Sequence, residues 1–216
     1  MARVNPDGTY SGRVGNIVYF TRNGKTFMKE YKIPRDPKLP KQMSQRALMS
    51  TASVFLSGFR KIINKSFQGS ETHNSGYGEA LQYNMANAFR EVTLPDDEKP
   101  RFEVIIDKIK ISRGLISPPV IDACERTGNK IVLNWDPTLG DLPNLPYDSM
   151  VIVAYDPDKG TFVDYHTGRR DQATGSTTLT DKFKGPVHLW AFYLNQEKNQ
   201  VKGKENVSDS IYLGMF

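Results

Sequence analysis

GRVGNIVYFTRNGKTFMKEY, residues 12–31, is the stretch that decides how this chain begins to fold. Two β-rich runs flank Asn23-Gly24. A type I′ turn needs positive φ at both central positions, which Asn and Gly tolerate best, so the stretch reads as a hairpin turning at Asn23-Gly24. Next comes KIPRDPKLPK, 32–41, with Pro34, Pro37 and Pro40. Each proline lacks an amide donor and pushes its predecessor out of helical space, which makes this segment an extended arm. From Lys41 onward the period changes. Ser44, Leu48, Ala52, Phe55, Phe59, Ile62 and Ser66 follow at steps of three or four, the spacing of a helix with one buried stripe. Pro40 suits a first helical position, Gly69 a stop, and Gly58 is a weak point costing about 1 kcal/mol relative to Ala.

Composition bounds the rest. A chain of 216 residues with 38% hydrophobic and 11% aromatic content can bury a real core, and its length suggests two compact units. Mean hydropathy is −0.52, and no apolar run approaches the roughly 20 residues of a membrane span. The first residues, MARVNPDG, lack the apolar core of a secretory signal. The expected location is therefore the cytoplasm, or a virion if the chain is phage-encoded, with no membrane partner. A single cysteine, Cys124, cannot close an internal disulfide and reads as a small core residue. The net charge of +5 is unevenly spread: residues 1–67 hold 13 Lys+Arg against Asp7, Glu30 and Asp36, a local excess of +10. Such asymmetry points to an acidic partner for the first part, whether nucleic acid, an acidic protein surface or another copy of the chain.

Further along, 68–78 (QGSETHNSGYG) is a Gly/Ser/Asn-rich break before a second helix over 79–92, with Leu81, Met85, Ala88, Phe89 and Val92 on one face. The charged, proline-bounded PDDEKP at 95–100 suggests a domain boundary. The expected organisation is a basic hairpin, arm and helical region over 1–95, a linker over 96–101, and a β domain over 102–216. In that last part short β runs lie at 102–111, 120–121, 130–135, 150–155, 162–166, 177–179, 187–194 and 210–213, most of them separated by Gly, Pro, Asn or Asp clusters. This spacing reads as an antiparallel β-sandwich of immunoglobulin or fibronectin type III kind, with Trp135 as its core tryptophan. The fold class is thus α+β: an N-terminal β-hairpin plus two helices, then the sandwich. On that reading the fragment from about Pro100 to Phe216 folds alone.

Several segments together carry a resemblance: G-x-V-G-x-I-V-Y in 12–19, Asn23-Gly24-Lys25, Asp36-Pro37-Lys38-x-Pro40-Lys41-Gln42-x-x-Gln45-Arg46 with its following helix, and VSDSIYLG at 207–214. The chain resembles a family of uncharacterised Bacteroidota proteins of about 200 residues, a domain of unknown function, over nearly its whole length. Members commonly show threonine where this chain has Leu39, and Ser-Asn-Ser where it has Ser208-Asp209-Ser210. The resemblance implies the same layout and brings no activity, substrate or cofactor. The DPK-x-P-x-Q-x-x-QR arm is also similar to one in small structural proteins of phages and prophages.

No enzyme signature emerges, and no cofactor is expected. His73, His166 and His188 lack the spacing of zinc ligands, and Cys124 has no sequence-local histidine to activate it. Gly12-Arg-Val-Gly15 precedes β-type residues rather than a helix N-terminus, so it reads as a bend and not a phosphate loop. Asp96, Asp97 and Glu98 diverge as consecutive linker carboxylates.

One chemical feature stands out. Arg13, Arg22, Lys25, Lys29, Lys32, Arg35, Lys38, Lys41, Gln42, Gln45 and Arg46 form a basic and polar set interleaved with Tyr19, Phe20, Phe27 and Tyr31. Period-two alternation puts Lys25, Phe27 and Lys29 on one face and Thr26, Met28 and Glu30 on the other. The favoured expectation is a non-enzymatic assembly protein docking through this region onto a protein partner or further copies of itself, in the concrete case a virion or prophage component of auxiliary capsid or collar type. Nucleic-acid binding by the basic region is one alternative. Recognition of a ligand such as carbohydrate by the loops at 136–147 and 168–176 is another.

Overall fold

Positive φ at two glycines closes the first turns: Gly15 (φ 55°) joins β2 (Tyr10–Val14) to β3 (Ile17–Arg22), and Gly24 (φ 72°) joins β3 to β4 (Lys25–Glu30). β3 and β4 pair from Ile17↔Glu30 to Arg22↔Lys25, which is the two-residue connection expected at 23–24. A short β1 (Arg3–Val4) adds beside β2, so the hairpin grows into a four-stranded antiparallel sheet in the order β1-β2-β3-β4. The structure, a computed structural model, describes residues 3–6, 8–22, 24–33, 39–67, 75–92, 100–140, 145–195 and 207–216. Asn23, most of the arm including Arg35 and Lys38, and His73 lie outside these.

The chain divides into two compact units, 1–39 and 40–216. The 96–101 linker anticipated from sequence falls inside the second unit, mostly beyond the described residues. The reason is packing: the helices that follow the arm share one core with the sheets that follow the linker.

The long helix expected from Lys41 is two helices, α1 (Pro40–Ser57) and α2 (Arg60–Ser66), broken at Gly58. A Cβ at Gly58 would stand 1.5 Å from Phe162 Cε2, so the break lets the backbone come against that ring. The next helix, α3 (Gly76–Asn87), starts earlier than its apolar period suggested because the Ser75 hydroxyl accepts from the Gly78 amide at 3.2 Å and caps it. It also stops earlier. Residues 89–92 form β5 (Phe89–Val92), paired antiparallel with β6 (Arg101–Val104), and this long-range pairing outweighs the helical period. The chain after β6 makes one 3₁₀ turn (Ile106–Lys108) instead of continuing as a strand to residue 111.

Two sheets complete the second unit. β10 (Thr161–Arg169), β9 (Ser149–Asp156), β12 (His188–Leu194) and β13 (Ile211–Met215) form one, in that order; β11 (Thr174–Thr178), β8 (Lys130–Trp135) and β7 (Ile121–Thr127) form the other. All their pairings are antiparallel. The larger sheet is buried on both faces. Met150, Ile152, Ala154, Leu189, Ala191 and Tyr193 face Ile131, Leu133 and Trp135 of the smaller sheet. Val151, Val153, Trp190, Phe192 and Leu194 face the other way, against Leu56, Phe59, Ile63 and Phe67 of the helical region. The unit is therefore mixed α+β in three layers, with helices, a four-stranded sheet and a three-stranded sheet stacked in turn.

Trp135 is 1% exposed, and its indole N–H donates to the Arg170 carbonyl at 2.9 Å. Gly175 leaves room for it, since a Cβ there would come 2.9 Å from the indole and 2.4 Å from the Thr167 carbonyl oxygen.

Candidate functional site

The sheet register decides which side chains of 1–39 act together. Partners across antiparallel strands share a face, and alternate residues along each strand return to it. Arg13↔Val18↔Lys29, Phe20↔Phe27 and Arg22↔Lys25 lie on one face, and Arg3↔Ser11 joins them through β1. The other face carries Val4↔Tyr10, Gly12↔Tyr19↔Met28, Val14↔Ile17↔Glu30 and Thr21↔Thr26. Four of the sequence-predicted cations, Arg13, Arg22, Lys25 and Lys29, are thus brought to one side, and Glu30, the only carboxylate on the strands β1–β4, is on the opposite one.

Aromatic rings sit within this basic face. Phe20 and Phe27 stack at 5.6 Å with planes 23° apart, and they are 39% and 45% exposed. Lys29 Nζ lies 5.6 Å from the Phe20 ring. The Arg13 guanidinium stands 3.5 Å over the Tyr31 ring while its Nε donates to the Gly15 carbonyl at 2.8 Å, which holds the cation flat against the sheet. Same-face rows recur every two residues, about 7 Å apart along a strand. The order along the face is cation row (Arg22, Lys25), ring row (Phe20, Phe27), cation row (Arg13, Lys29).

The remaining predicted residues are elsewhere. Lys32 follows β4 and sits 3.9 Å from Glu30. Arg35 and Lys38 lie outside the described residues. Lys41, Gln42, Gln45 and Arg46 are on α1 in the second unit, where Gln42, Gln45 and Arg46 join Met49, Ser50 and Ser53 around a shallow depression of about 490 Å³. Arg3 escaped the sequence reading because nothing local marks a two-residue strand; only its pairing with Ser11 places it.

The opposite face is apolar and open. Val4, Tyr10, Val14, Ile17 and Met28 are 66%, 49%, 55%, 40% and 70% exposed. Tyr10 and Tyr19 meet at 6.1 Å, and hydrogen bonds run from the Thr21 hydroxyl to the Tyr10 carbonyl and from the Tyr10 amide to the Thr26 hydroxyl, both 3.3 Å. Among the described residues, none of the buried apolar ones comes from 1–39.

The second unit holds two buried polar clusters. Asp148 and Arg170, 0% and 2% exposed, pair at 3.5 Å; Asp148 also accepts from the Leu145 amide and from Asn195 Nδ2, and the Arg170 guanidinium lies 3.7 Å over the Tyr193 ring. Burial pushes the Tyr193 hydroxyl up to about 12 and lowers Arg170 from its ordinary value. The other cluster explains the terminal VSDS. Ser210 Oγ accepts from the Ile111 and Ser112 amides, Asp209 accepts from Lys110 Nζ and the Gly114 amide, and Ser208 Oγ accepts from the Tyr193 amide. Ser208-Asp209-Ser210 is a latch between 110–114 and β12. Asn84 brackets Lys110 from the other side, donating to its carbonyl at 2.8 Å and accepting from its amide at 2.9 Å.

Elsewhere, burial and then Glu125 push the Cys124 thiol up to about 11, so it is protonated near neutral pH. His166 meets the Ser149 hydroxyl and His188 the Tyr212 hydroxyl. Among the described residues no three His, Cys, Asp or Glu side chains converge on a metal-sized point, and no helix is long and apolar enough to cross a membrane. Of the two proposed ligand loops, 168–176 is taken up by the end of β10, a 3₁₀ turn and β11, and 141–144 of the other lies outside the described residues.

Fold and surface together define a mixed α+β chain in which a core-less basic sheet accompanies a three-layered unit. The chain belongs to a family of unknown function, DUF6266, which matches residues 9–214 and so takes in β2 through the terminal latch. No curated protein matches the sequence.

Proposed function

We propose that this chain is a non-enzymatic assembly protein whose N-terminal sheet docks onto the same sheet of a second copy. The observation that carries this reading is the sheet of 1–39 itself: four strands, no buried apolar residue among the described ones, and Val4, Tyr10, Val14, Ile17 and Met28 exposed on one face. An isolated sheet buries its apolar face only against another layer. A second copy supplies an identical face, giving a two-sheet stack in which each patch meets itself. That arrangement also leaves the basic faces pointing outward, so like charges are kept apart.

In this reading the 40–216 unit, which has its own core, is carried along as the displayed body. We take its two sheets as an immunoglobulin or fibronectin type III-like sandwich; the three-on-four strand distribution and the central Trp135 support this. The concrete form is a virion or prophage component of auxiliary capsid or collar type, supported by the likeness of the proline-rich arm. Light scattering after size exclusion at tens of micromolar tests the assembly. A dimer or larger species is expected, and Val14→Glu with Met28→Glu should return it to monomer. A monomeric wild-type chain overturns the self-docking, and a purified particle lacking the protein overturns the virion form.

A further inference from the structure

We infer that the basic face of the N-terminal sheet is a binding platform for single-stranded nucleic acid. The inference is independent of the docking proposed for the opposite face. Its first support is charge. Residues 1–39 contain eight Lys+Arg against three Asp+Glu, whereas 40–216 contains 21 of each, so the whole net charge of +5 belongs to the unit that carries this face. A neutral second unit offers no net attraction from another copy of the chain, and the complement of the basic face is an external polyanion.

The second support is the arrangement of the rings. A surface that merely needed positive charge would have no use for two phenylalanines, each losing apolar contact with other protein while 39% and 45% exposed. Phe20 and Phe27 lie between the Arg22/Lys25 row and the Arg13/Lys29 row, with Arg3 on the same side. Flat π surfaces between cations are what a strand of unpaired bases recognises: bases stack on the rings while phosphates meet the cations on either side. The row spacing of about 7 Å matches the reach of one extended nucleotide rather than the closer rise of a duplex strand, about 3.4 Å. A duplex hides its bases and could use only the cations. Single-stranded DNA and RNA share the recognised chemistry, and the test separates them.

The experiment uses the full chain and fluorescence anisotropy with labelled oligo-dT and oligo-U of about 20 nucleotides, a duplex of the same length, and polyglutamate as competitor. Expected is single-strand binding at low salt with log K falling against log salt at a slope of about −3, as four or five cations release counterions. Phe20→Ala with Phe27→Ala should weaken binding at least about tenfold while leaving the slope unchanged. Arg22→Gln or Lys25→Gln alone should shallow the slope by about 0.7, and being exposed-site changes they keep the test valid if the double variant misfolds. The relative affinity for oligo-dT and oligo-U tells which strand the face prefers. No binding at low salt, equal affinity for duplex, equal displacement by polyglutamate, or ring variants that bind like wild type would each overturn the platform. Val14→Glu with Met28→Glu, which tests the docking face, should leave single-strand binding intact.

Discussion

Gly58→Ala sets local propensity against tertiary packing, and the two disagree in sign. Judged by sequence, the change removes a helix-weakening glycine and reduces the freedom of the unfolded chain, together a gain of about 1 kcal/mol. In the structure the new Cβ would lie 1.5, 2.1 and 2.5 Å from three atoms of the Phe162 ring. Contacts so short are never tolerated, so the ring must leave. It now packs at 3.9 Å from Phe59 and lies nearly parallel to Tyr155, 5.0 Å away with planes 13° apart. Losing two aromatic pairs removes about 1–3 kcal/mol before any area term, in line with about 1–3 kcal/mol for overpacked cores. Subtracting the local gain leaves a net destabilisation of up to about 2 kcal/mol, or a Tm lower by up to about 6 °C in a unit of this size. Chemical and thermal unfolding followed by circular dichroism would measure it. A cycle with Phe162→Ala isolates the cause, because the alanine at 58 should show only its local gain once the ring is gone, giving a coupling of about 1–3 kcal/mol. A Gly58→Ala protein that melts higher than wild type, or a cycle that is simply additive, would refute the steric argument.

A fragment of 40–216 should fold with a cooperative melt, whereas 100–216, which the strand pattern alone suggests is self-sufficient, should be molten or aggregated. Without the helices, Val151, Val153, Trp190, Phe192 and Leu194 lose their cover, at about 1.5–3 kcal/mol each a total comparable with the stability of a whole domain; a sharp melt with near-ultraviolet dichroism from 100–216 would count against this. Arg170→Met strands the buried Asp148 carboxylate and should cost about 3–5 kcal/mol in denaturant unfolding, while adding Asp148→Asn should recover part of it; an additive double variant would mean that the pair is not coupled. Burial lowers the His188 pKa below its ordinary value of 6.5, so the unfolded chain binds the proton more readily. Stability should accordingly hold above pH 6.5 and decline as the pH falls below it, and His188→Asn should flatten that part of the Tm–pH curve; an unchanged curve would show that His188 is not responsible.

Much of this protein is determined by short-range rules that the sequence states openly. Asn23-Gly24 demands its turn because few other residues accept positive φ, Pro40 suits the first position of a helix, and the three-to-four spacing from Ser44 to Phe55 can bury one stripe only as a helix. The runs MVIVAY at 150–155 and LWAFYL at 189–194 do not alternate as a strand open to water on one face does, but the sandwich expectation takes no account of it, and only the structure shows the helices covering the second face. Tertiary structure decided the rest. Residues 89–92 have a helical period but find a strand partner at 101–104, and a periodicity count does not weigh pairing between two segments. Gly58 reads as a defect until Phe162 arrives from more than a hundred residues away. The alignment of Arg13 and Arg3 with Lys25 and Lys29 depends on register, where a slip of one residue would send every side chain of a strand to the other face. The side-chain pattern of a single strand fixes what lies on each of its faces; only hydrogen bonds between strands fix which of those faces are shared.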